Sequence, residues 1–212
     1  MKTREDMTDN VLWRDKAVAF SARSRQELWG KHNEDILAWF FLNGFKNRFI
    51  KDKLLGWNRR PKERPSEAWG FPEGTGPLFF PPGIVIPFVE EKHLRKLMIF
   101  DHSRPGGSPC HVVPGSAGIP MVFGQDTRRT AVVENIVHGL LLHQEFPENL
   151  RVVVPDDPTQ VSTVSEIILE DGPSEFLYFP DPLNERSSHP SFETRTYERP
   201  EELLDMIRSW VS

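Results

Sequence analysis

One acidic residue in the second half of the chain lies where a buried strand should end. Glu134 follows the β-branched run Thr130–Val133, and an apolar pattern with helical spacing starts immediately after it. A strand, an acid and then a helix is how α/β proteins bring a carboxylate to the edge of a parallel sheet, where their ligands bind. We therefore expect Glu134 to belong to a functional site.

Further acids follow the next two strand-like runs, and all of them could meet Glu134 at one edge of the sheet. Parallel strands bring their carboxyl ends to the same edge. Carboxylate oxygens are the ligands that Mg²⁺ prefers, so these acids could together hold a metal ion. The candidate metal ligands are Glu134, Asp156, Asp157 and Asp181, with Glu185 just beyond them.

The pair Asp156 and Asp157 has a second interpretation, which we favour. It lies between Pro155 and Pro158, ahead of a predicted helix over residues 159–169. Aspartate and proline are the ordinary residues of turns and helix N-caps, where a carboxylate accepts hydrogen bonds from unpaired backbone amides. Metal binding by this pair is the alternative.

The densest positive run of the sequence lies between residues 46 and 64, in a chain whose net charge is −5. Nucleic-acid binding by such an acidic protein would have to be local. Basic residues interleaved with aromatics are typical of single-strand binding surfaces, although charge runs are more often solvated faces and loop aromatics more often pack on a core. The candidate nucleic-acid-binding residues are Lys51, Lys53, Trp57, Arg59, Arg60, Lys62, Arg64 and Trp69.

The elements that position these residues predict an α/β chain, α+β overall, in three segments. Residues 1–58 carry apolar residues at helical spacing, which predicts an N-terminal helical segment with three helices. Residues 59–128 combine a loop with strand-like runs, which predicts a small β-rich subdomain. Residues 129–212 alternate strand-like and helical patterns, which predicts a parallel sheet flanked by helices.

Within these segments the sequence predicts several particular elements. Trp57–Pro82 is rich in proline, glycine and aromatic residues, which predicts a loop without regular structure. The runs Gly83–Phe88 and Leu94–Phe100 predict a hairpin. Near the end of the chain, Phe192–Tyr197 predicts a fourth strand, and a closing helix begins at Pro200.

The chain lacks the sequence features of secreted and membrane-spanning proteins. Cys110 is its single cysteine, so neither an internal disulfide nor a zinc-binding cysteine framework can form. No apolar run approaches the roughly 18 residues of a membrane span, and the first ten residues carry no signal-peptide core. We expect a cytoplasmic protein that makes no use of a membrane.

Several short strings occur in a characteristic order along the chain. They are Leu12–Ala17, Ala38–Trp39, Asn43–Phe45, Leu55–Asn58, Glu67–Gly70, Gly83–Phe88, Val113–Ser116 and Val132–Glu134. As an ordered set covering about residues 11 to 210, they resemble the bacterial and phage-type DNA primase-like proteins in which a helical segment precedes a Toprim catalytic core. The resemblance implies that residues 129–212 form a Toprim-like domain.

The resemblance also implies which residues would carry catalysis. In this family a Glu after the first Toprim strand handles protons, and a D-x-D pair after the third strand holds Mg²⁺ for phosphoryl transfer. Glu134 matches the first position and Asp181 the first acid of the pair, whereas the second acid falls on Leu183. His138 stands where an acid often follows, and Pro109–His111 replaces a usual basic and aromatic pair. We also expect the zinc-binding domain that commonly precedes this region to be absent.

Three hypotheses follow for function. The first is a primase-derived protein with a degenerate catalytic site and no cofactor, in which Glu134 and Asp181 are vestigial. It would be a nucleic-acid-associated or assembly subunit of a replication, mobile-element or defence complex, with protein partners and single-stranded nucleic acid as its candidate ligands. The second is an active Mg²⁺-dependent primase or nuclease that uses Glu134 and Asp181 with Asp156 or Asp157. The third is a protein-only scaffold whose partner contact is the aromatic segment 57–82.

Overall fold

The computed structural model describes residues 7–103, 110–124, 128–156, 164, 175–182 and 193–211 of the 212 residues. The chain divides into two structural units, Met1–Gly118 and Ile119–Ser212. The first combines helices with antiparallel strands, and the second contains parallel strands with helices. The predicted α/β class, α+β overall, is therefore confirmed.

Helical spacing in the first unit produces the three predicted helices. Asn10 begins the first of them, because its side-chain oxygen accepts from the backbone amides of Leu12 and Trp13 at 2.9 and 3.3 Å. These amides belong to the group that a helix start otherwise leaves unpaired. The helix then buries Trp13, Ala17 and Phe20 along one face. The three helices are α1 (Val11–Leu28), α2 (Glu34–Leu42) and α3 (Asn47–Asp52).

The strands of the first unit form two antiparallel sheets. The larger sheet has the order β1-β4-β5-β6 and the smaller one pairs β2 with β3. The predicted hairpin is confirmed as β4 and β5, which turn at Glu91 and Lys92, both with positive φ. The strands are β1 (Gly56–Asn58), β2 (Lys62–Arg64), β3 (Leu78–Phe80), β4 (Gly83–Glu90), β5 (His93–Phe100) and β6 (Cys110–Val112).

Segment Trp57–Pro82 is not the irregular loop that its composition predicts. It contains β2, β3, a short 3-10 helix Glu67–Trp69 and most of β1. Its order comes from contacts between residues far apart in the sequence. The side-chain Nδ2 of Asn58 donates to the carbonyl of Phe80 at 3.2 Å, and the centre of the Phe80 ring lies 5.0 Å from that of Trp69. The prediction is wrong because burial and long-range pairing override local proline and glycine content.

One hydrophobic core joins α1 to the strands of the first unit. Trp13, Phe20, Trp69, Phe80 and Leu97 belong to this core. The Trp13 indole is fully buried, and its Nε1 donates to the carbonyl of Pro114 at 2.9 Å. The residues predicted as a helical segment and those predicted as a β-rich subdomain thus share one interior.

The second unit is organised around the predicted parallel sheet. Strands β9 and β10 both pair with β8 in parallel, and β7 pairs with β9 in the antiparallel direction, in the order β10-β8-β9-β7. Gly139 lets the helix after β8 approach the sheet, because a Cβ at this position would lie 2.5 Å from Cγ2 of Val154. The elements are β7 (Met121–Phe123), β8 (Arg129–Val133), α4 (Ile136–Glu145), β9 (Arg151–Val154), β10 (Glu175–Phe179) and α5 (Pro200–Val211).

Two predicted elements of this unit fall partly or almost wholly outside the described residues. Of the predicted helix 159–169 only Val164 is described, and it is buried in the core with Tyr178. The predicted fourth strand is described from residue 193, where Thr194 forms a single parallel bridge with Tyr178. None of the helices in the described part of the chain has the length and apolar character of a membrane span.

Candidate functional site

Two of the predicted catalytic acids meet at the edge of the parallel sheet. Glu134 directly follows β8 and Asp181 lies just after β10, and these two strands are neighbours in the sheet. The backbone amide of Asp181 donates to Oε2 of Glu134 at 3.0 Å, and the backbone amide of Glu134 donates to the carbonyl of Phe179 at 3.2 Å. Parallel pairing therefore brings together two acids that are far apart in the sequence.

Both carboxylate oxygens of Glu134 accept hydrogen bonds from the chain itself. The Tyr178 hydroxyl donates to Oε1, while the amide of Asp181 donates to Oε2. Tyr178 lies on β10 with 1% of its surface exposed, and its ring belongs to the core of the second unit. A core side chain thus holds the half-buried carboxylate in place.

Asn135 connects this acid pair to α4. Its side-chain oxygen accepts from the backbone amides of Val137 and His138 at 3.0 and 3.3 Å, which caps the helix. Its Nδ2 donates to Oδ2 of Asp181 at 3.3 Å. The same side chain therefore starts the helix and positions the second acid.

Half-buried His138 and buried Tyr197 form a polar pair beside the two acids. Nδ1 of His138 lies 2.7 Å from the Tyr197 hydroxyl. Burial lowers the pKa of His138 to about 4, although the charges of Asp181 and Glu201 act in the opposite direction. Burial raises the pKa of the Tyr197 hydroxyl, with further increases from Asp181 and Glu134. Both side chains are consequently neutral at pH 7, and His138 cannot replace the charge of an acid at its position.

The donor atoms of the described residues do not complete the Mg²⁺ site that the resemblance implies. Among the described residues, no group of three or more His, Cys, Asp or Glu side chains is placed to hold a metal ion. Asp156 is half-buried after β9, whereas Asp157, Leu183 and Glu185 lie outside the described residues. Leucine has no atom that can bind Mg²⁺, which requires a near-octahedral set of oxygen ligands. Metal binding by Glu134, Asp156, Asp157 and Asp181 stays a prediction, and we derive no metal-dependent step.

The candidate nucleic-acid-binding residues lie in the first unit, and four of them share one cleft. Trp57, Arg59, Arg60 and Lys62 line a cleft of about 540 Å³, together with residues from the end of α1 and just beyond it. The Arg59 guanidinium lies 6.0 Å from the centre of the Trp57 ring. The structure therefore gathers the C-terminal part of the predicted basic run, apart from Arg64, into one concave surface.

The other four candidates have different surroundings. Lys51 lies over the Trp29 ring at 4.9 Å and Lys53 over the Phe49 ring at 5.8 Å. Arg64 is exposed on β2. Trp69 is only 3% exposed, so its ring serves the core of the first unit rather than a surface for stacking bases.

Sequence reasoning missed the residues that hold the acids and complete the cleft. An asparagine just before an apolar helical run is an N-cap signal, which could have drawn attention to Asn135. Nothing local distinguishes Tyr178 or Tyr197, since each acts through residues from another element. Arg23 and Lys31 line the cleft but lie 23 and 15 residues before the predicted basic run 46–64.

The second unit follows the helical and β-rich unit in the sequence and has a strand-end glutamate on a mixed but mainly parallel sheet, which is consistent with a Toprim-like fold. More particularly, the chain has the fold of bacterial primase catalytic cores. It is similar to the RNA polymerase domain of Mycobacterium tuberculosis primase DnaG, with a TM-score of 0.63, 10% identity and coverage of 97% of this chain and 82% of that one. A DNA primase domain from Pseudomonas aeruginosa has a TM-score of 0.64 and 13% identity, covering 93% and 77% of the two chains.

A third similar structure is a DnaG primase catalytic domain bound to single-stranded DNA. Its TM-score is 0.64 at 9% identity, with coverage of 96% of this chain and 81% of that one. No protein-family model matches the chain, and no curated protein matches its sequence. At these identities the similarity establishes the fold, and the predicted resemblance to primase cores is confirmed at that level.

Proposed function

We propose that this chain is a primase-derived Toprim-fold protein with a degenerate catalytic site. It acts as a nucleic-acid-associated or assembly subunit of a replication, mobile-element or defence complex, alongside protein partners. The observation that carries this proposal is the hydrogen bonding of the Glu134 carboxylate. Its two carboxylate oxygens accept from Tyr178 and from the backbone of Asp181, so the acid is part of a closed hydrogen-bond network.

The hydrogen bonds of Glu134 restrict how its carboxylate could take part in catalysis. Each carboxylate oxygen has two lone pairs, so Oε1 could reach a metal ion or a proton while it keeps the Tyr178 hydroxyl, but only through its remaining lone pair. That hydroxyl belongs to a side chain that is 1% exposed. A reaction that required the carboxylate to turn away from Tyr178 would leave a buried donor unpaired, at a cost of about 1–3 kcal/mol.

The residues around Glu134 support the same proposal. Phosphoryl transfer depends on metal ions that offset the charge of the phosphate, and carboxylates hold these ions in place. Here Leu183 stands at the position of the second acid of the pair, and His138 is neutral in place of another acid. Asp181 is engaged by Asn135. Catalysis would thus need ligands from outside this network.

The basic cleft supports the nucleic-acid part of the proposal. It concentrates positive charge in a chain whose net charge is −5. Local neutralisation of phosphates is the main source of affinity for nucleic acid, and half-exposed aromatics beside basic residues add stacking. A DnaG catalytic domain with this fold has been observed with single-stranded DNA.

Catalytic assays of the purified chain test the proposal. We expect neither primer synthesis nor strand cleavage above background with Mg²⁺ or Mn²⁺, and no difference between the natural chain and Glu134→Gln. An active bacterial primase assayed in parallel confirms that the conditions allow synthesis. Metal-dependent activity that disappears in Glu134→Gln would overturn the proposal and favour an active primase or nuclease that recruits Asp156 or Asp157.

A further inference from the structure

The cleft of the first unit contains more positive charge than one internal nucleotide of a strand can neutralise. Five cationic side chains and one carboxylate line it, which gives a local net charge of +4. An internal phosphodiester brings only one negative charge per nucleotide. A terminal phosphate monoester brings up to two, and each further phosphate of a polyphosphate adds to this. The local charge is therefore matched better by a polyphosphate than by one internal nucleotide.

The single carboxylate of the cleft is already in use. Glu27 Oε1 lies 3.3 Å from Nζ of Lys62, and its Oε2 accepts from the backbone amide of Arg59 at 3.4 Å. This ties the end of α1 to the segment between β1 and β2. Nζ of Lys62 also lies 5.6 Å from the centre of the Phe20 ring, and this cation–π contact helps to hold the ammonium group in place.

The remaining cations are left without an acidic partner within the described part of the chain. They are Arg23, Lys31, Arg59 and Arg60, all of them exposed. Nε of Arg23 donates to the carbonyl of Ala19 on the same helix at 3.2 Å. Four like charges around one concavity repel one another, and an anion in the cleft would relieve this repulsion.

The size and the aromatic wall of the cleft add to the charge argument. Its volume of about 540 Å³ falls in the range of roughly 300–1,000 Å³ that small-molecule sites occupy, which suits one nucleotide. Trp57 is half-buried on β1, with the Arg59 guanidinium 6.0 Å from its ring centre. An indole at the wall offers a π-face for a base, and stacking of this kind tolerates any base.

We propose that this cleft binds a nucleoside triphosphate group, with the base against Trp57 and the phosphates among Lys31, Arg23 and Arg60. The group is either a free nucleotide or the 5′-triphosphate end of a single strand, since both present the same chemistry. This inference rests on the proposed nucleic-acid association and gives it a defined ligand. It assigns no chemical step to the cleft.

Calorimetric titrations of the full chain without divalent metal test the inference. We expect ATP to bind at least tenfold more tightly than AMP, with inorganic triphosphate binding between them. The double variant Lys31→Glu/Arg60→Glu should lose at least tenfold in affinity for ATP. The control Lys16→Glu/Arg48→Glu changes the net charge equally, on exposed positions of α1 and α3 outside the cleft, and should stay within twofold of the natural chain.

Fluorescence adds a readout that is specific to the aromatic wall. ATP should change the tryptophan emission of the natural chain, and the change should be smaller in Trp57→Phe, which keeps an aromatic ring on β1. Thermal unfolding of every variant checks that the fold is retained. Equal affinity for ATP and AMP, or an equal loss in the control variant, would overturn the inference.

Two oligonucleotides identify the source of the triphosphate. Tighter binding of a single-stranded RNA with a 5′-triphosphate than of the same RNA with a 5′-hydroxyl supports the strand end, whereas ATP binding without this preference supports a free nucleotide. If the 5′-hydroxyl strand binds and ATP does not, the triphosphate inference fails while the proposed function stands. If ATP alone binds, the inference stands and nucleic-acid association fails.

Discussion

Glu134 keeps its place at the strand end through contacts with its own unit. The hydroxyl of Tyr178 and the amide of Asp181 supply a donor for each carboxylate oxygen. Asn135 extends the network to α4, and His138 closes it on Tyr197. At this scale the site is a set of polar groups that satisfy one another. A low-dielectric environment strengthens the hydrogen bonds between them and makes these bonds costly to break.

His138 should make the stability of the second unit depend on pH. Burial lowers its pKa to about 4 in the folded chain, whereas an unfolded chain has a pKa near 6.5. Between these values the unfolded state binds more protons, so the free energy of unfolding is highest above about pH 6.5 and decreases as the pH falls towards 4. We expect His138 to account for a loss of about 2–3 kcal/mol over this window.

Urea denaturation of the natural chain at several pH values measures this loss. His138→Gln keeps a side chain that can bond to Tyr197 but does not titrate, so most of the pH dependence in this window should disappear. If the variant retained the full pH dependence, the source would be another group.

At the scale of elements, local sequence patterns predict the helices and the hairpin, because local interactions determine them. The helices of residues 11–52 and the hairpin of β4 and β5 follow from apolar periodicity and turn residues. The adjacency of Glu134 and Asp181 follows from the rule that parallel strands share an edge. Segment Trp57–Pro82 could not be predicted in this way, because the pairing of β2 with β3 and the burial of Trp69 and Phe80 depend on long-range contacts rather than on local composition.

The contacts of Glu134 and His138 could not be predicted from the sequence for the same reason. Sequence patterns identify acids at strand ends, but they do not show which side chain of a neighbouring strand donates to them. Tyr178 and Tyr197 reach Glu134 and His138 across 44 and 59 residues of sequence. Contacts of this kind depend on strand register and on the docking of α4, which emerge only from the packed unit.

The close packing of α4 on β9 gives a prediction at this scale. In Gly139→Ala the new Cβ would lie 2.5 Å from Cγ2 of Val154, a branched side chain with no free space. Alanine favours a helix by about 1 kcal/mol over glycine, but overpacking costs about 1–3 kcal/mol. We expect a net loss of stability and a lower Tm, measured by thermal unfolding.

Two controls accompany Gly139→Ala. Adding Val154→Ala removes the clashing methyl groups and should make the alanine at 139 less costly than it is beside valine. Gly118→Ala, where nothing lies within 4 Å of the new Cβ, should leave Tm nearly unchanged. A Gly139→Ala chain as stable as the natural one would show that α4 can move away from the sheet.

At the scale of the whole molecule, an acidic chain with one basic cleft should bind nucleic acid locally. For about three neutralised phosphates, the affinity for single-stranded DNA should fall roughly 20-fold between 50 and 200 mM salt. Fluorescence anisotropy with a labelled 5′-hydroxyl strand measures this dependence.

Charge reversal of the basic run tests where the strand binds. Arg59→Glu/Arg60→Glu/Lys62→Glu/Arg64→Glu should abolish single-strand binding, while Lys16→Glu/Arg48→Glu should retain most of it. Absence of binding by the natural chain at low salt would favour a protein-only scaffold that uses segment 57–82 as its partner contact.

Asn135 has a consequence for how this chain changes in evolution. Its side chain both caps α4 and bonds to Asp181, whose backbone in turn bonds to Glu134. Selection for a folded protein alone would therefore preserve all three residues, whatever their part in catalysis. On the function proposed above, the strand-end acid persists because neighbouring groups depend on it for folding, while positions without that dependence are free to change.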